Sequence, residues 1–531
     1  MPETPDQRNP FPAKIRRFQQ EENTIMKTQS REIFRKYTDA AQFDRIVEMD
    51  TVSEMWARCV ADYAALPAVV DGGVSRTYAE LDRDAAGFRT LLDQAGAGDR
   101  VALFAANSYD FVKAYLAIVT SGRTAAIFPA HLPAEAVFGC CMMFGVSSLV
   151  YQPDFSERLE LVRQRRPDIK LIPADALCEE KTALKACEAK TPCAIVFTGG
   201  TSGKSKGALL SNEAVMQGTV NGCYGYPDVF YQRYLLILPL SHVFGLIRNL
   251  MTSLYTGSAL WICRDNKEMF RDVAMFKPTI LVMVPALAEM ALTLSKKFKR
   301  NMLGEDLKTI ICGAAPVAPF LIAEYDKLGI KLLAGYGLTE SANLVSGNPE
   351  SLTKPESVGV PFPNQELRFE NGELWLKGKN MMEGYVGTEE PDAYAEGWFR
   401  TGDLARLDED GYLYITGRIK EIIVLPNGEN VSPAEAEARF NTLPLIQDSQ
   451  VFEDRNELGQ PILALEVVLR ATELAQLPEE ERRATAMAQL EEINRTLPAF
   501  MRVSKITVRD SDFQRSPAMK IVRYRYGIDK N

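Results

Sequence analysis

The sequence predicts an α/β fold in two unequal parts: a large N-terminal domain of α/β subdomains plus a β-rich subdomain, then a small C-terminal α/β domain. Val101-Ala102-Leu103-Phe104 reads as a strand, 111–119 as a helix and Ala125-Ala126-Ile127-Phe128 as the next strand. The same apolar pattern returns at 194–197, 235–238, 280–283 and 309–311. Each run ends near Gly, Pro, Ser or Thr, which places ligand loops at strand ends. From Gln365 the pattern changes. Residues 366–369 and 373–376 alternate polar and apolar side chains around Asn371-Gly372, a hairpin signal that opens the β-rich part. A strand at 412–415 runs into Thr416-Gly417-Arg418, and the remainder reads as a smaller α/β region. The expected division is therefore a disordered extension over 1–28, a large domain over 29–417 and a small one over 418–531. Within the last, the Glu and Arg runs of 472–494 read as a helix with a solvated face.

With 531 residues the chain can bury a large core and still hold a cleft between lobes. Hydrophobic residues at 46% and charged residues at 25% make the ordinary globular mixture. Sixty-one Lys and Arg against 70 Asp and Glu leave a net charge of −9, so no basic field exists to hold nucleic acid or an anionic membrane. The longest apolar run, 281–294, is broken by Pro285 and Glu289, short of the ~20 residues that span a bilayer. Two histidines, and nine cysteines without a CxxC pair, argue against a Cys/His zinc site. An odd number of cysteines, mostly in apolar runs, reads as reduced thiols in a cytoplasmic protein, and the N-terminus lacks the apolar core of a signal peptide.

Four features carry chemistry. Thr198-Gly199-Gly200-Thr201-Ser202-Gly203-Lys204-Ser205-Lys206-Gly207 follows an apolar strand, and its glycines, hydroxyls and lysines suit a loop wrapped around phosphates. It is not a Walker A loop, because the glycine required five residues before Gly203 falls at Thr198. Gly335-Tyr336-Gly337-Leu338-Thr339-Glu340 gathers an aromatic ring, a hydroxyl and a carboxylate at a strand end. Gly397-Trp398-Phe399-Arg400-Thr401-Gly402-Asp403 offers an aspartate able to accept both hydroxyls of a ribose, and Pro517-Ala518-Met519-Lys520 lies close to the C-terminus. Taken singly, the second fits an ordinary turn as well as a site, and Lys520 fits an ordinary solvated lysine better.

In this order and spacing the four resemble the adenylate-forming superfamily of acyl- and aryl-CoA synthetases, amino-acid adenylation domains and firefly-type luciferases. The resemblance runs from about Thr51 onward. Supporting blocks are Leu238-Pro239-Leu240-Ser241-His242-Val243-Phe244-Gly245, Cys312-Gly313-Ala314-Ala315-Pro316, Gly417-Arg418-Ile419-Lys420-Glu421 and Gly428-Glu429-Asn430-Val431-Ser432-Pro433-Ala434-Glu435. It implies an acetyl-CoA synthetase-like fold with a mobile C-terminal domain, and ATP, Mg²⁺ and coenzyme A as cofactors. A carboxylate would attack the α-phosphate of ATP, release pyrophosphate and leave an acyl-adenylate, which a thiol would cleave with release of AMP.

By the same resemblance, Thr198, Thr201, Ser202 and Lys206 belong to the β,γ-phosphate loop, which departs from the usual pattern at Gly199, where serine is normal, and at Ser205, where proline is normal. Glu340 would ligate Mg²⁺ and Thr339 contact the α-phosphate. Tyr336 would stack on adenine beside Gly313, Ala314 and Ala315, with Asp403 and Arg418 on the ribose. Lys520 would neutralise charge at the α-phosphate, Lys420 is the hinge, and Gly428 belongs to the thiol tunnel, whose loop has Val424 where some aryl-CoA ligases carry lysine. His242 would stand beside the substrate carboxylate, with Phe244, Gly245 and Asn249 bordering the acyl pocket.

On an α-helix, Gly245 and Asn249 share the face of His242 while Arg248 falls near Phe244. Arg248 is expected to face solvent; pointing inward, it would imply a dicarboxylate substrate. The block around His242 has no acidic residue for a substrate ammonium, which disfavours amino acids. The expected substrate is a fatty acid, from overall resemblance to bacterial long-chain ligases in Leu425-Pro426-Asn427-Gly428-Glu429-Asn430 and the 515–523 segment. Loading of an acyl carrier protein, aryl substrates and a non-catalytic regulatory role are the alternatives.

Overall fold

A computed structural model describes residues 26–27, 30–198, 206–387, 393–425, 430–456, 461–470, 478–515, 521 and 523. Two large sheets form its frame. One has nine strands, with Pro67–Asp71, Ala259–Ile262, Arg233–Leu236, Ile280–Met283, Thr309–Cys312 and Lys331–Tyr336 running parallel as neighbours. The other has seven, with Pro192–Thr198, Thr124–Phe128, Arg100–Phe104, Ser148–Tyr151 and Lys170–Pro173 parallel in that order. Both carry near-continuous apolar strands, as a parallel sheet covered on both faces requires. The helix over Tyr109–Thr120 is buried almost throughout, and Ser108 caps it by accepting the Phe111 N–H at 3.1 Å.

The β-rich part is a third sheet. Gln365–Glu370 and Glu373–Gly378 pair in the expected register around a two-residue turn in which Asn371 and Gly372 have φ of 51° and 81°. Trp398–Leu407 and Leu413–Arg418 extend it. Strands expected at 235–238 and 412–415 shift to Arg233–Leu236 and Leu413–Arg418, because pairing with neighbours rather than apolar run length sets their ends. Most of the expected 1–28 extension lies outside the described residues. Met26–Lys27 differs from the expectation of disorder: it is a strand, paired with Leu367 and Glu366 at the sheet edge.

After Val431 the chain builds a separate apolar core, in which Phe440, Leu465, Val467, Ala486 and Leu490 pack together. Ile446–Arg455, Pro461–Leu469 and Lys505–Arg509 form its sheet. The helix expected at 472–494 is Glu479–Thr496, with Ala486 and Leu490 buried and the rest largely solvated. Residues 471–477 lie outside the described residues. Among the described residues no helix is long and apolar enough to cross a membrane.

This part touches two helices of the large part through Arg470. Its guanidinium donates to the carbonyls of Pro444 and Ile446, pairs with Glu289 on helix Pro285–Phe298, and lies 3.9 Å above the Phe320 ring. Burial pushes the Glu289 carboxyl up to about 7, with Arg470 and Arg515 lowering it and Asp448 raising it. The docked carboxyl therefore binds its proton more tightly than a solvated one, whose ordinary value is 4.5. That contribution to docking is full below the solvated value and lost as pH rises through about 7. Limited proteolysis across this range should show the docked arrangement loosening with rising pH, and Glu289→Gln should flatten the dependence.

Candidate active site

Two of the motif loops, those after Cys312 and at Tyr336, meet at the C-terminal ends of parallel strands, where open α/β sheets bind ligands. Thr309–Cys312 delivers Gly313-Ala314-Ala315, and its neighbour Lys331–Tyr336 delivers Tyr336. A Cβ on Gly313 would lie 3.3 Å from the Gly335 carbonyl oxygen and 3.5 Å from Phe244 Cζ, so both loops and the residue following Val243 converge there. Ala314 has φ of +67°, an uncommon conformation for a residue with a Cβ, of the kind found at ligand clamps.

Asp403 and Arg418 lie directly opposite each other on adjacent antiparallel strands. Arg418 Nε stands 2.7 Å from Asp403 Oδ1, and the Tyr336 hydroxyl donates to Asp403 Oδ2 at 2.5 Å. Asp403 is 1% exposed, which makes this a desolvated carboxylate held by one cation and one hydroxyl. Burial and the Asp403 charge push the Tyr336 hydroxyl well above its ordinary value, so it remains a donor.

A second cluster surrounds Glu340, in the short 3₁₀ turn Thr339–Ser341 that also carries Thr339. The Tyr385 hydroxyl donates to Glu340 Oε1 at 2.7 Å, and Lys206 Nζ lies 5.1 Å from the centre of the Tyr385 ring. Burial and the neighbouring Lys420 lower the Lys206 ammonium, while Glu340 raises it. Two cations beside one carboxylate make a patch receptive to polyanions. Sequence reasoning missed Tyr385. Its strand, Gly384–Val386, is placed only by long-range pairing with Lys206–Ser211.

Thr198 pairs with Lys206 in the antiparallel ladder, so the glycine-rich loop closes a hairpin. A P-loop joins a strand to a helix, so topology as well as residue pattern separates the two. Thr201 and Ser202, with Gly199 and Ser205, lie outside the described residues, as do Gly428 and Lys520.

His242 is half-buried at the entrance to the next helix; its backbone N–H donates to the Pro239 carbonyl at 3.1 Å and its backbone carbonyl accepts from the Leu246 N–H at 2.8 Å. A Cβ on Gly245 would sit 2.3 Å from the Pro239 carbonyl oxygen, so this close approach requires glycine. Phe244–Met251 is a π-helix, not the α-helix expected. Asn249 is wholly buried and donates to the Leu235 carbonyl at 3.3 Å. The expectation of a solvent-facing Arg248 is overturned: Arg248 is 2% exposed, its guanidinium 5.5 Å from the Tyr226 ring centre. Wider π-helical turns and covering aromatics from outside the helix explain the difference.

Residues 56–386 match the family described as AMP-binding enzyme, and 420–526 match the AMP-binding enzyme C-terminal domain. The chain belongs to the AMP-binding enzyme family. This AMP-binding enzyme is 29% identical to a feruloyl-CoA synthase of an Amycolatopsis species over 404 residues, 72% of this chain and 81% of the relative. It is 28% identical to the long-chain-fatty-acid–CoA ligase FadD15 of Mycobacterium bovis over 432 residues, 67% and 71% of the two chains. The fold matches a crystal structure of the anthranilate CoA ligase AuaEII in complex with anthranoyl-AMP, at a TM-score of 0.78 and 18% identity, covering 90% of this chain and 97% of that one. The enzyme is an AMP-forming acid–thiol ligase of the adenylate-forming superfamily.

Proposed function

We propose that this AMP-binding enzyme activates an aliphatic carboxylic acid of the fatty-acid type with ATP and passes the acyl group to coenzyme A. The observation that carries the nucleotide half is the pair of clusters at the strand ends: Tyr336, Asp403 and Arg418 on one side, Lys206, Tyr385 and Glu340 on the other. The likeness to FadD15 supports an aliphatic acid.

In this reading Asp403 and Arg418 hold the ribose, the loop from Thr198 to Lys206 with Thr201 and Ser202 holds the β- and γ-phosphates, and Thr339 meets the α-phosphate. Adenine lies between Tyr336 and the backbone of Gly313, Ala314 and Ala315. His242 orients the acid carboxylate, with Phe244 and Gly245 bordering the acyl chain. A carboxylate and a polyphosphate repel each other, so cations fixed before they meet lower the barrier most. Lys206 and Lys420 supply such charge in this arrangement. Glu340 fits Mg²⁺, a hard cation that takes one or two protein carboxylates beside substrate phosphates and would neutralise their charge when bound. We place the division between large and small domains at 417–418, with Lys420 as hinge. Nine free thiols suit a reducing compartment such as the cytoplasm.

The test is pyrophosphate release from ATP and Mg²⁺ across fatty, aryl and dicarboxylic acids, with and without CoA, following AMP and thioester by mass spectrometry. Acid-dependent AMP with acyl-CoA is expected. Adenylate formed without thioester would transfer the second step to an acyl carrier protein, and ATP binding without turnover would point to a regulatory protein.

A further inference from the structure

The other buried arginines among the described residues, Arg89 and Arg470, have carbonyl or carboxylate partners. Arg89, also 2% exposed, donates to the Thr182 carbonyl and the Thr120 hydroxyl, and Arg470 meets two carbonyls and Glu289. Arg248 is different. It hydrogen-bonds the Tyr234 hydroxyl and lies beside the Tyr226 ring and the Cys223 thiol, but its Nη1 has no hydrogen-bond partner. No carboxylate among the described residues pairs with it. Burial raises the Tyr226 and Tyr234 hydroxyls above their ordinary range, so both are neutral and supply no charge. The molecule therefore carries a full positive charge in its interior with one donor face unmet, an arrangement that folding alone disfavours.

Its position points to the acyl group. Phe244 abuts Gly313 at the nucleotide end, and in a π-helix of more than four residues per turn Arg248 lies about one turn deeper along the side Phe244 occupies. From His242 to Arg248 is six residues, about 9 Å along the axis at the α-helical rise and less in a π-helix. An extended chain of a few methylenes spans such a gap.

We propose that Arg248 receives a second carboxylate at the far end of the substrate, so that the acid activated is an α,ω-dicarboxylic aliphatic acid. This rests on the ligase reading above and specifies the end of the chain that does not react. The second carboxylate supplies the missing counter-charge and accepts from Nη1, and Tyr226 and Tyr234 exclude water from the pair. A monoacid of equal length leaves the cation unmet, which is the basis of discrimination.

The experiment compares kcat/KM for pyrophosphate release with the full chain, ATP, Mg²⁺ and CoA. The probes are dicarboxylic acids from succinate to sebacate, their monomethyl esters and monoacids of equal length. The best diacid should exceed its own monomethyl ester by about a hundredfold. Arg248→Leu should bring the diacid-to-monoacid ratio close to one, and Arg248→Lys should restore part of it. If Arg248→Leu fails to fold, the ester comparison on the unaltered enzyme decides alone. Monoacids or esters turned over as well as the diacids at every length would overturn the proposal and leave the ligase standing. AMP formation with no acid at all would overturn both.

Discussion

Asp403→Ala is expected to lower kcat/KM for ATP about a thousandfold. As proposed, the carboxylate accepts both ribose hydroxyls, and a hydrogen bond to a charged group contributes about 2 kcal/mol, so losing two removes about 4 kcal/mol, three powers of ten. The side chain is 2% exposed and already fixed by Arg418 at 2.7 Å and Tyr336 at 2.5 Å, so no reorganisation precedes nucleotide binding. The same contacts mean that the substitution strands a cation. Arg418 is partly exposed, its side chain at 39%, and water can take over much of that charge, so melting temperature should fall less than activity. Asp403→Asn keeps the shape and loses the charge, and should fall between. Steady-state kinetics with ATP varied, beside calorimetric ATP binding, checks the prediction. An Asp403→Ala enzyme with unchanged affinity for ATP would remove Asp403 from the ribose site.

What could be read along the sequence was whatever local pattern determines. The turn at Asn371-Gly372 is set by two residues that tolerate positive φ, and it stands where expected. The apolar strands stand within two residues of where expected too, because a covered parallel sheet leaves few other ways to bury such runs. Asp403 and Arg418 are fifteen positions apart in sequence yet face each other in the ladder; only the family resemblance, not spacing, joined them beforehand. Tyr385 carried no local signal, since its approach to Glu340 depends on Gly384–Val386 pairing with a strand more than 170 residues earlier. Arg248 was misplaced for a physical reason. A charge on a helix is normally solvated, and neither the π-helical winding nor the aromatic cover from Tyr226 and Tyr234 is visible in the eight residues of the helix itself.

Lys520→Ala should separate the two half-reactions. The family resemblance puts Lys520 at the α-phosphate as the cation that meets the charge developing there, and removing a group that stabilises transition-state charge costs about 10²–10³ in rate. Lys520 itself lies outside the described residues; the nearest described residues are Arg515, Ile521 and Arg523. Arg515 and Ile521 form an antiparallel bridge, and Arg523 pairs with Glu437 at 2.6 Å and Glu421 at 3.1 Å. Residues 420–526 match the C-terminal domain of the family, and beside Lys206 stands Lys420, the hinge position of the family resemblance. If rotation about Lys420 exchanges the Lys520 segment for the Gly428 loop, one lysine serves adenylate formation and is withdrawn for thioester formation. The expected result is a loss of about a thousandfold in acid-dependent pyrophosphate exchange, with CoA thioester formation from supplied acyl-adenylate within about threefold of the unaltered enzyme. Equal losses in both assays would mean that Lys520 acts on a step common to the two, and the domain rotation would lose its chemical purpose.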